Sequence, residues 1–213
     1  MLAELLRENG GKLATGFLGA KPLLPALSAT GHSDLAYKLF LSKEFPSWGF
    51  EVENGSTTIW ERWDSFTKED GFKYNAAMNS FSHYAFGAVC EWMFGNAAGI
   101  KATKPGFAEF DIRPEIAPDG MERESIGRLA ASLRTMNGLI SSQWAKTQNG
   151  LTMKVAVPVN TTARIYIPQF GEKQISLNGR EIRQLKQVKI LGKEDGYTVV
   201  EAGSGTYEFI AAH

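Results

Sequence analysis

The spacing of apolar residues changes near Gly99, and this change constrains the fold more than any other feature of the chain. Before Gly99 the apolar residues follow helical spacing, as in Leu2, Leu5 and Leu6. After Gly99 apolar and polar residues alternate, as in residues 151–157, and turn residues separate the alternating runs. The sequence therefore predicts an α + β protein with two unlike domains, a helical one over residues 1–98 and a strand-rich one over residues 99–213.

The helical domain is expected to contain four or five helices. The first begins near Leu2, the second covers residues 22–31 because proline is tolerated in a first helical turn, and the third follows an N-cap at Ser33. Residues 43–58 hold several glycines and prolines and are predicted to form a long loop. The fourth and strongest helix is expected to begin near Asn79.

The fourth helix is apolar on nearly all sides, so we expect packing against both of its faces. Its apolar stripe includes Tyr84, and Cys90 lies on the opposite side. His83 and Glu91 are its only ionisable residues, and for Glu91 we favour a satisfied buried polar group over a catalytic one.

The second domain is predicted to be an antiparallel sandwich or jelly roll, because about eight short strands are spread over it. Asn149-Gly150 and Asn178-Gly179 are dipeptides typical of tight hairpin turns. We find no internal repeat and no low-complexity segment.

Composition narrows the classes of partner. The chain has 23 basic residues (Lys and Arg) and 23 acidic residues (Asp and Glu), so its formal net charge is zero. This balance argues against nucleic acid or an anionic membrane as a partner. The N-terminus does not resemble a secretory signal and no stretch suits a membrane span, so we expect a soluble, cytoplasmic chain. Cys90 is the single cysteine and the three histidines are scattered, so neither a metal nor another cofactor is expected.

Residues 57–65, TTIWERWDS, are the richest local motif. They place the carboxylate of Glu61 between the indoles of Trp60 and Trp63. An indole face suits the C–H face of a sugar, and a carboxylate beside it can serve as a general acid or base. The alternative interpretation is a core segment whose polar residues cap a helix.

Several further segments, in this order, resemble the C-terminal part of bacterial α-L-rhamnosidases, which are inverting glycoside hydrolases of family seventy-eight. The resemblance covers nearly the whole chain, and its main segments are residues 15–19, 23–27, 34–37, 46–49, 57–64, 78–81, 83–87 and 105–107.

This resemblance implies part of an (α/α)6 barrel followed by a jelly-roll-like β-sandwich, and rhamnose-containing glycosides as partners. Nothing before Thr15 matches the segment that carries the family's general acid, so we expect the acid to lie outside this sequence. A homo-oligomer or the missing half of the barrel would then cover the helices.

The resemblance also implies roles for individual residues. Glu61 takes the position of the general base, and His83 that of a histidine lining the sugar pocket, with a backbone-satisfied buried histidine as an equal alternative. Trp48, Trp60 and Trp63 are candidate walls for the sugar ring or its C6 methyl, although one of the last two is expected to face the core.

Asp64 is expected to pair with Arg62 or to cap a helix, and not to act in catalysis. Two other functions stay open at this point. One is a non-catalytic saccharide-binding or assembly module, and the other is a truncated product that needs another chain.

Overall fold

The computed structural model describes residues 1–73, 76–117, 126–169, 175–184 and 186–212. Two compact units emerge from the contacts among them. Residues 1–93 together with Ala117 form the helical unit, and residues 94–116 with the described residues from 126 onward form the strand unit.

The helical unit contains six described helices and one short hairpin. The helices are α1 (Leu2–Glu8), α2 (Phe17–Ala29), α3 (Ser33–Leu41), α4 (Trp48–Glu53), α5 (Tyr84–Gly87) and α6 (Val89–Trp92). The hairpin pairs β1 (Phe66–Thr67) with β2 (Gly71–Phe72), and a 3-10 turn follows at Ala76–Met78.

Helix α2 begins at Phe17, five residues before the predicted start at Pro22, so the prediction of a helix over 22–31 was wrong at its N-terminus. Pro22 and Pro25 both lie inside the helix, where each removes a backbone donor. Burial of one apolar side offsets this cost, and that side comprises Ala20, Leu23, Leu24 and Leu27. Helix α3 begins at Ser33, although His32 occupies the N-cap position.

Residues 43–58 are not a continuous loop, because they contain α4. The Ser47 hydroxyl caps this helix by accepting a hydrogen bond from the Phe50 N–H at 2.9 Å. Gly49 is required in its first turn, since a Cβ there would lie 2.2 Å from the Ser42 carbonyl oxygen. The glycine that suggested a loop instead allows close approach of two backbones.

The predicted long helix from Asn79 is replaced by the two short helices α5 and α6 and a π-helical segment, Met93–Ala97. The Ser80 carbonyl accepts from the Glu61 N–H, and the Phe81 carbonyl accepts from the Thr58 hydroxyl. These long-range bonds replace helical ones, which explains why residues 79–83 are irregular.

Burial on both sides of this segment was also a wrong prediction. Tyr84 is 88% exposed and Cys90 is exposed. Glu91 is exposed as well and lies 3.9 Å from the Lys21 ammonium, so it is not a buried polar group. Trp92 does face the core, where its indole N–H donates to the Ser28 hydroxyl at 2.8 Å.

The strand unit contains two sheets. One has the order β10-β9-β13-β7-β6-β5, and the other has the order β11-β12-β8-β4-β3. The strands are β3 (Ile100–Ala102), β4 (Glu109–Ile112), β5 (Arg128–Thr135), β6 (Gly138–Thr147), β7 (Gly150–Val157), β8 (Thr162–Pro168), β9 (Ile175–Leu177), β10 (Arg180–Glu181), β11 (Val188–Glu194), β12 (Tyr197–Ala202) and β13 (Gly205–Ala212).

All described strand pairs in these two sheets are antiparallel except β4 with β8, which are parallel. The prediction of helices followed by antiparallel sheets is confirmed. Both predicted hairpins are present. Asn178 and Gly179, both with positive φ, join β9 to β10 as predicted, whereas the loop from β6 to β7 is Gln148-Asn149, one residue before the predicted Asn149-Gly150.

Alternation along the strands sends every second side chain into one apolar core. Six large members of this core are at most 1% exposed: Phe110, Ile112, Ile140, Met153, Ile165 and Phe209. Because they come from strands of both sheets, the core fixes the register of each strand.

Candidate active site

The helical unit contains a cavity of about 350 Å³ formed by loops and by the N-terminus of α2. It has both apolar and charged walls. Its described lining comprises residues 13–17, Phe45, Pro46, residues 61–64 and Phe86. Residues that lie up to 73 positions apart in the sequence are thus brought to one site.

Glu61 is one of two acidic residues that line this cavity, and it is half-buried. Its backbone N–H donates to the Ser80 carbonyl at 2.9 Å, and its Oε2 accepts from the Ser80 N–H at 2.7 Å. This reciprocal pair holds both the backbone and the side chain of Glu61 against residue 80.

The tight turn after Glu61 places its neighbours at the cavity. Ser65 closes this turn, because its N–H and its hydroxyl both donate to the Arg62 carbonyl, at 3.1 and 3.0 Å. Arg62, Trp63 and Asp64 all line the cavity as a result. Residues 60–65 are irregular, so Glu61 does not begin a helix.

Trp63 forms part of the cavity wall although it is only 8% exposed. Its ring stacks on Phe86 with the centroids 3.8 Å apart, and its indole N–H donates to the Thr15 carbonyl at 3.2 Å. The indole is therefore held rigidly, with little freedom to lose when a ligand contacts it.

Trp48 and Trp60 lie outside the described lining of the cavity. Trp48 sits behind Trp63, edge-on at 5.1 Å, and donates its indole N–H to the Phe86 carbonyl at 3.0 Å. Trp60 packs against Phe66 and Phe81 in a separate aromatic cluster. Of the three tryptophans predicted to contact the sugar, only Trp63 is among the described lining residues of the cavity, together with Glu61.

His83 is half-buried at the start of α5, where its Nδ1 accepts from the Ala85 N–H at 3.4 Å. This bond assigns the ring proton to Nε2 in the neutral form. The centroid of the imidazole ring lies 5.4 Å from that of Phe17, which lines the cavity, and 5.6 Å from that of Tyr84. His83 therefore packs against a wall residue of the cavity but is not among the described lining residues.

Comparison with known proteins identifies the family of both units. The bacterial α-L-rhamnosidase six-hairpin glycosidase domain matches residues 1–97, and the bacterial α-L-rhamnosidase C-terminal domain matches residues 99–181. An α-L-rhamnosidase of Streptomyces avermitilis is 39% identical over 98% of the chain, and one of Formosa agariphila is 36% identical over all of it.

The chain belongs to the bacterial α-L-rhamnosidase family. It corresponds to the C-terminal portion of its relatives, because residues 99–181 match the family's C-terminal domain, and it spans only 19% and 22% of the length of these two proteins.

Solved α-L-rhamnosidase structures share the fold. The crystal structure of the Streptomyces avermitilis enzyme complexed with L-rhamnose superposes with a TM-score of 0.84 at 37% identity, covering 97% of this chain and 19% of that one. The Dictyoglumus thermophilum enzyme superposes with a TM-score of 0.82 at 28% identity, covering 100% and 22%.

Sequence reasoning missed one buried acid beside the site of this rhamnosidase-family chain. Glu51 on α4 is 2% exposed, and burial raises the pKa of its carboxyl to about 8, with the Trp60 backbone N–H opposing the shift by hydrogen bonding. Its spacing three residues after Trp48, on the same helical face, was the available signal. That signal was lost because residues 43–58 were interpreted as a loop.

Two further wall residues, Phe17 and Phe86, lie within segments that matched the family but carried no predicted role. Among the residues that the structure describes, no group of three or more His, Cys, Asp or Glu side chains is arranged to hold a metal ion. No helix within the described ranges is long and apolar enough to cross a membrane.

Proposed function

We propose that the cavity receives the terminal α-L-rhamnose unit of a glycoside, and that Glu61 is the general base of its inverting hydrolysis. The observation that carries this proposal is the position of the Glu61 carboxylate in the cavity wall beside the rigid indole of Trp63. The family of the chain supplies the substrate class, since the relatives are α-L-rhamnosidases.

Inverting hydrolysis needs two carboxyl groups about 6.5–9.5 Å apart, with a water between one of them and the anomeric carbon. Glu61 removes a proton from that water as the oxygen bonds to the anomeric carbon. The glycosidic C–O bond breaks at the same time, and a general acid protonates the leaving oxygen. We propose that this acid comes from sequence outside the present chain.

The aromatic wall supports a 6-deoxy sugar as substrate. Phe17, Trp63 and Phe86 give the cavity an apolar lining, and Glu61 and Arg62 line it as well. The C–H face and the C6 methyl of rhamnose suit such a surface, whereas a 6-hydroxyl there would lose hydrogen bonds to water.

Titration of the ¹⁵N-labelled chain with L-rhamnose tests the binding step, and L-mannose is the matched control because it differs only by a hydroxyl at C6. We expect amide shifts confined to residues 13–17, 61–64 and 86, weaker with L-mannose and strongly reduced in the Trp63→Ala variant. Absence of shifts at these residues at 100 mM rhamnose, or equal shifts with both sugars, would contradict the proposal.

The isolated chain should hydrolyse rhamnosides slowly or not at all. Without the acid, protonation of the leaving group is lost, and without most of the barrel the substrate is poorly positioned. If the purified 213-residue chain hydrolyses an aryl α-L-rhamnoside at ordinary enzymatic rates, the proposal that the general acid lies outside this sequence is contradicted.

A second candidate is an assembly module in which the helical unit docks onto another copy or another chain. Exposed apolar side chains favour it, and they include Leu18, Val52, Phe72 and Tyr84. Light scattering tests the assembly module, which predicts a molecular mass that rises with protein concentration. A chain that stays monomeric at 100 µM and does not bind an apolar dye would contradict the assembly module.

A further inference from the structure

The six-stranded sheet carries a second cavity, which we call the outer groove. It lies over β5, β6 and β7, and its volume of about 430 Å³ falls in the usual range of ligand-binding clefts, about 300–1,000 Å³. Six lining residues alternate along these strands with inward-facing residues such as Met153, so their side chains point away from the core. These six residues are Arg128, Ala130, Gln143, Ala145, Thr152 and Lys154.

Short and long side chains are interleaved across the outer groove. Two rows of directly paired residues form it: Arg128, Ala145 and Thr152 in one row, and Ala130, Gln143 and Lys154 in the other. The three strands span roughly 10 Å, because neighbouring strands lie about 4.8 Å apart. The alanine methyl groups therefore form a floor about as wide as one sugar ring, with polar side chains around it.

Charged side chains are arranged differently on the outer faces of the two sheets. On the five-stranded sheet, Arg164 lies directly opposite Glu201 and Asp111, and its guanidinium makes two hydrogen bonds to Asp111. On the six-stranded sheet, Arg128 lies on the edge strand β5, directly opposite Ala145. Its guanidinium has no ion pair or side-chain hydrogen bond among the residues that the structure describes. Arg128 is therefore available to a ligand.

The charges of the outer groove favour an anionic ligand. Its described lining holds two cations, Arg128 and Lys154, and no acid. Glu208 on β13 pairs with Lys154 at 3.2 Å, which leaves Arg128 as the main unpaired charge. A guanidinium binds a carboxylate through two parallel hydrogen bonds, a geometry that an ammonium does not provide. The Gln143 amide and the Thr152 hydroxyl supply donors and acceptors for neutral hydroxyl groups.

We propose that the outer groove binds a sugar unit that carries a carboxylate. Arg128 pairs with the carboxylate, the C–H face of the ring covers Ala130 and Ala145, and Gln143 and Thr152 bond its hydroxyl groups. The site is independent of the proposed rhamnose cavity, because the two share no described lining residue. It gives the strand unit a binding role of its own.

Titration of the ¹⁵N-labelled chain with the methyl glycosides of D-glucuronic and D-galacturonic acid tests this site. The matched controls are methyl glucoside and methyl galactoside, which carry a hydroxymethyl group in place of the carboxylate. We expect amide shifts at residues 128–130, 143–145 and 152–154 with at least one of the acids, and an affinity about tenfold weaker for its neutral control. Absence of these shifts with both acids, or equal affinity for acid and control, would overturn the inference.

Sodium acetate separates recognition of a sugar from recognition of a carboxylate alone. It should bind at least about tenfold more weakly than the preferred acid, because it lacks the ring and the hydroxyl groups. Equal affinity for acetate would overturn the assignment of a sugar. Saturating L-rhamnose should leave the affinity for the acid unchanged, and competition would overturn the independence of the two sites.

Variants of β5 test the role of Arg128. Arg128→Gln removes the charge at an exposed position and should weaken binding of the acid at least about tenfold, to the level of its neutral control. Arg134→Gln is the matched control, because Arg134 is exposed on the same strand and face but outside the described lining, and it should bind like the unmodified chain. Equal losses in both variants, or full affinity in Arg128→Gln, would overturn the site.

A variant of the floor tests where the ring lies. Ala145→Leu fills the space between Arg128 and Thr152 and should abolish binding of the acid. Ala156→Leu is the matched control, since Ala156 lies on the same face of β7 outside the described lining, and it should bind normally. Unchanged affinity in Ala145→Leu would overturn the placement of the ring. If Ala145→Leu does not fold, the comparison of Arg128→Gln with Arg134→Gln decides.

Discussion

The strand unit and the helical unit bury their apolar side chains in different ways. In the strand unit, strands of two sheets face one continuous core, and residues such as Ile165 and Phe209 are fully buried. The helical unit has a core around Trp92, yet Leu18 and Tyr84 are almost wholly exposed. Among the described residues, the helical unit thus leaves more large apolar side chains exposed than the strand unit does.

The difference between the two units should be largest when a buried side chain of the strand core is shortened and compared with an exposed side chain of the helical unit. Phe209→Ala removes a fully buried ring from the strand core and should lower the free energy of unfolding by about 3–5 kcal/mol. Tyr84→Ala, at an exposed position of α5, should change it by less than about 0.5 kcal/mol. Urea denaturation with amide hydrogen exchange resolved by unit provides both values, and equal losses would break the comparison.

The pH dependence of stability should belong to the helical unit. Between pH 4.5 and about 8 the folded state keeps a proton on Glu51 that the unfolded chain has released. The free energy of unfolding of this unit should therefore fall as pH rises from 5 to 8, by up to about 4 kcal/mol. In Glu51→Gln this slope should be absent. A slope that persists in the variant, measured by urea titrations at four pH values, would assign it to another group.

Loss of the charge on Glu61 should have a smaller effect on folding. Glu61→Gln weakens the charge-assisted bond from the Ser80 N–H and should lower the free energy of unfolding by about 1 kcal/mol. Glu91→Gln is the control, since Glu91 is exposed and its ion pair is long at 3.9 Å. Thermal unfolding should distinguish the two variants, and a larger loss from Glu91→Gln would contradict the assigned geometry.

The smallest effect is expected on the surface of the strand unit. Arg164 makes two hydrogen bonds to Asp111, at 2.8 and 2.9 Å, between the parallel strands β8 and β4. Because Arg164 is largely exposed, Arg164→Ala should lower stability by no more than about 1 kcal/mol, and less at high salt. If Arg164→Ala lowered the free energy of unfolding as much as Phe209→Ala does, this surface pair would contribute as much to stability as the core, against expectation.

The two units also differ in how far the sequence predicts them. Strand alternation is a local signal, so the antiparallel sheets and the turn at Asn178-Gly179 could be predicted. In the helical unit, the bonds from Thr58 and Glu61 to residues 80 and 81 span about twenty positions and prevent the predicted helix from Asn79. No local pattern encodes such bonds.

The candidate site could be predicted in part for the same reason. The motif at residues 57–65 pointed to Glu61 and Trp63, and both line the cavity. The side to which Trp48 and Trp60 turn depends on tertiary packing against Phe86, Phe66 and Phe81, so sequence could not decide it. The roles of Glu61, Trp48, Trp60, Trp63 and His83 stay predictions.

The most direct test of the central claim, that Glu61 is a general base, restores the rest of the enzyme. Residues 1–213 would replace the matching segment of the Streptomyces avermitilis α-L-rhamnosidase, and hydrolysis of an aryl α-L-rhamnoside would be measured with and without Glu61→Gln. We predict an active hybrid whose kcat falls about 10²–10⁴-fold on this substitution, with little change in the control Glu53→Gln. A Glu61→Gln hybrid as active as its parent would contradict the account.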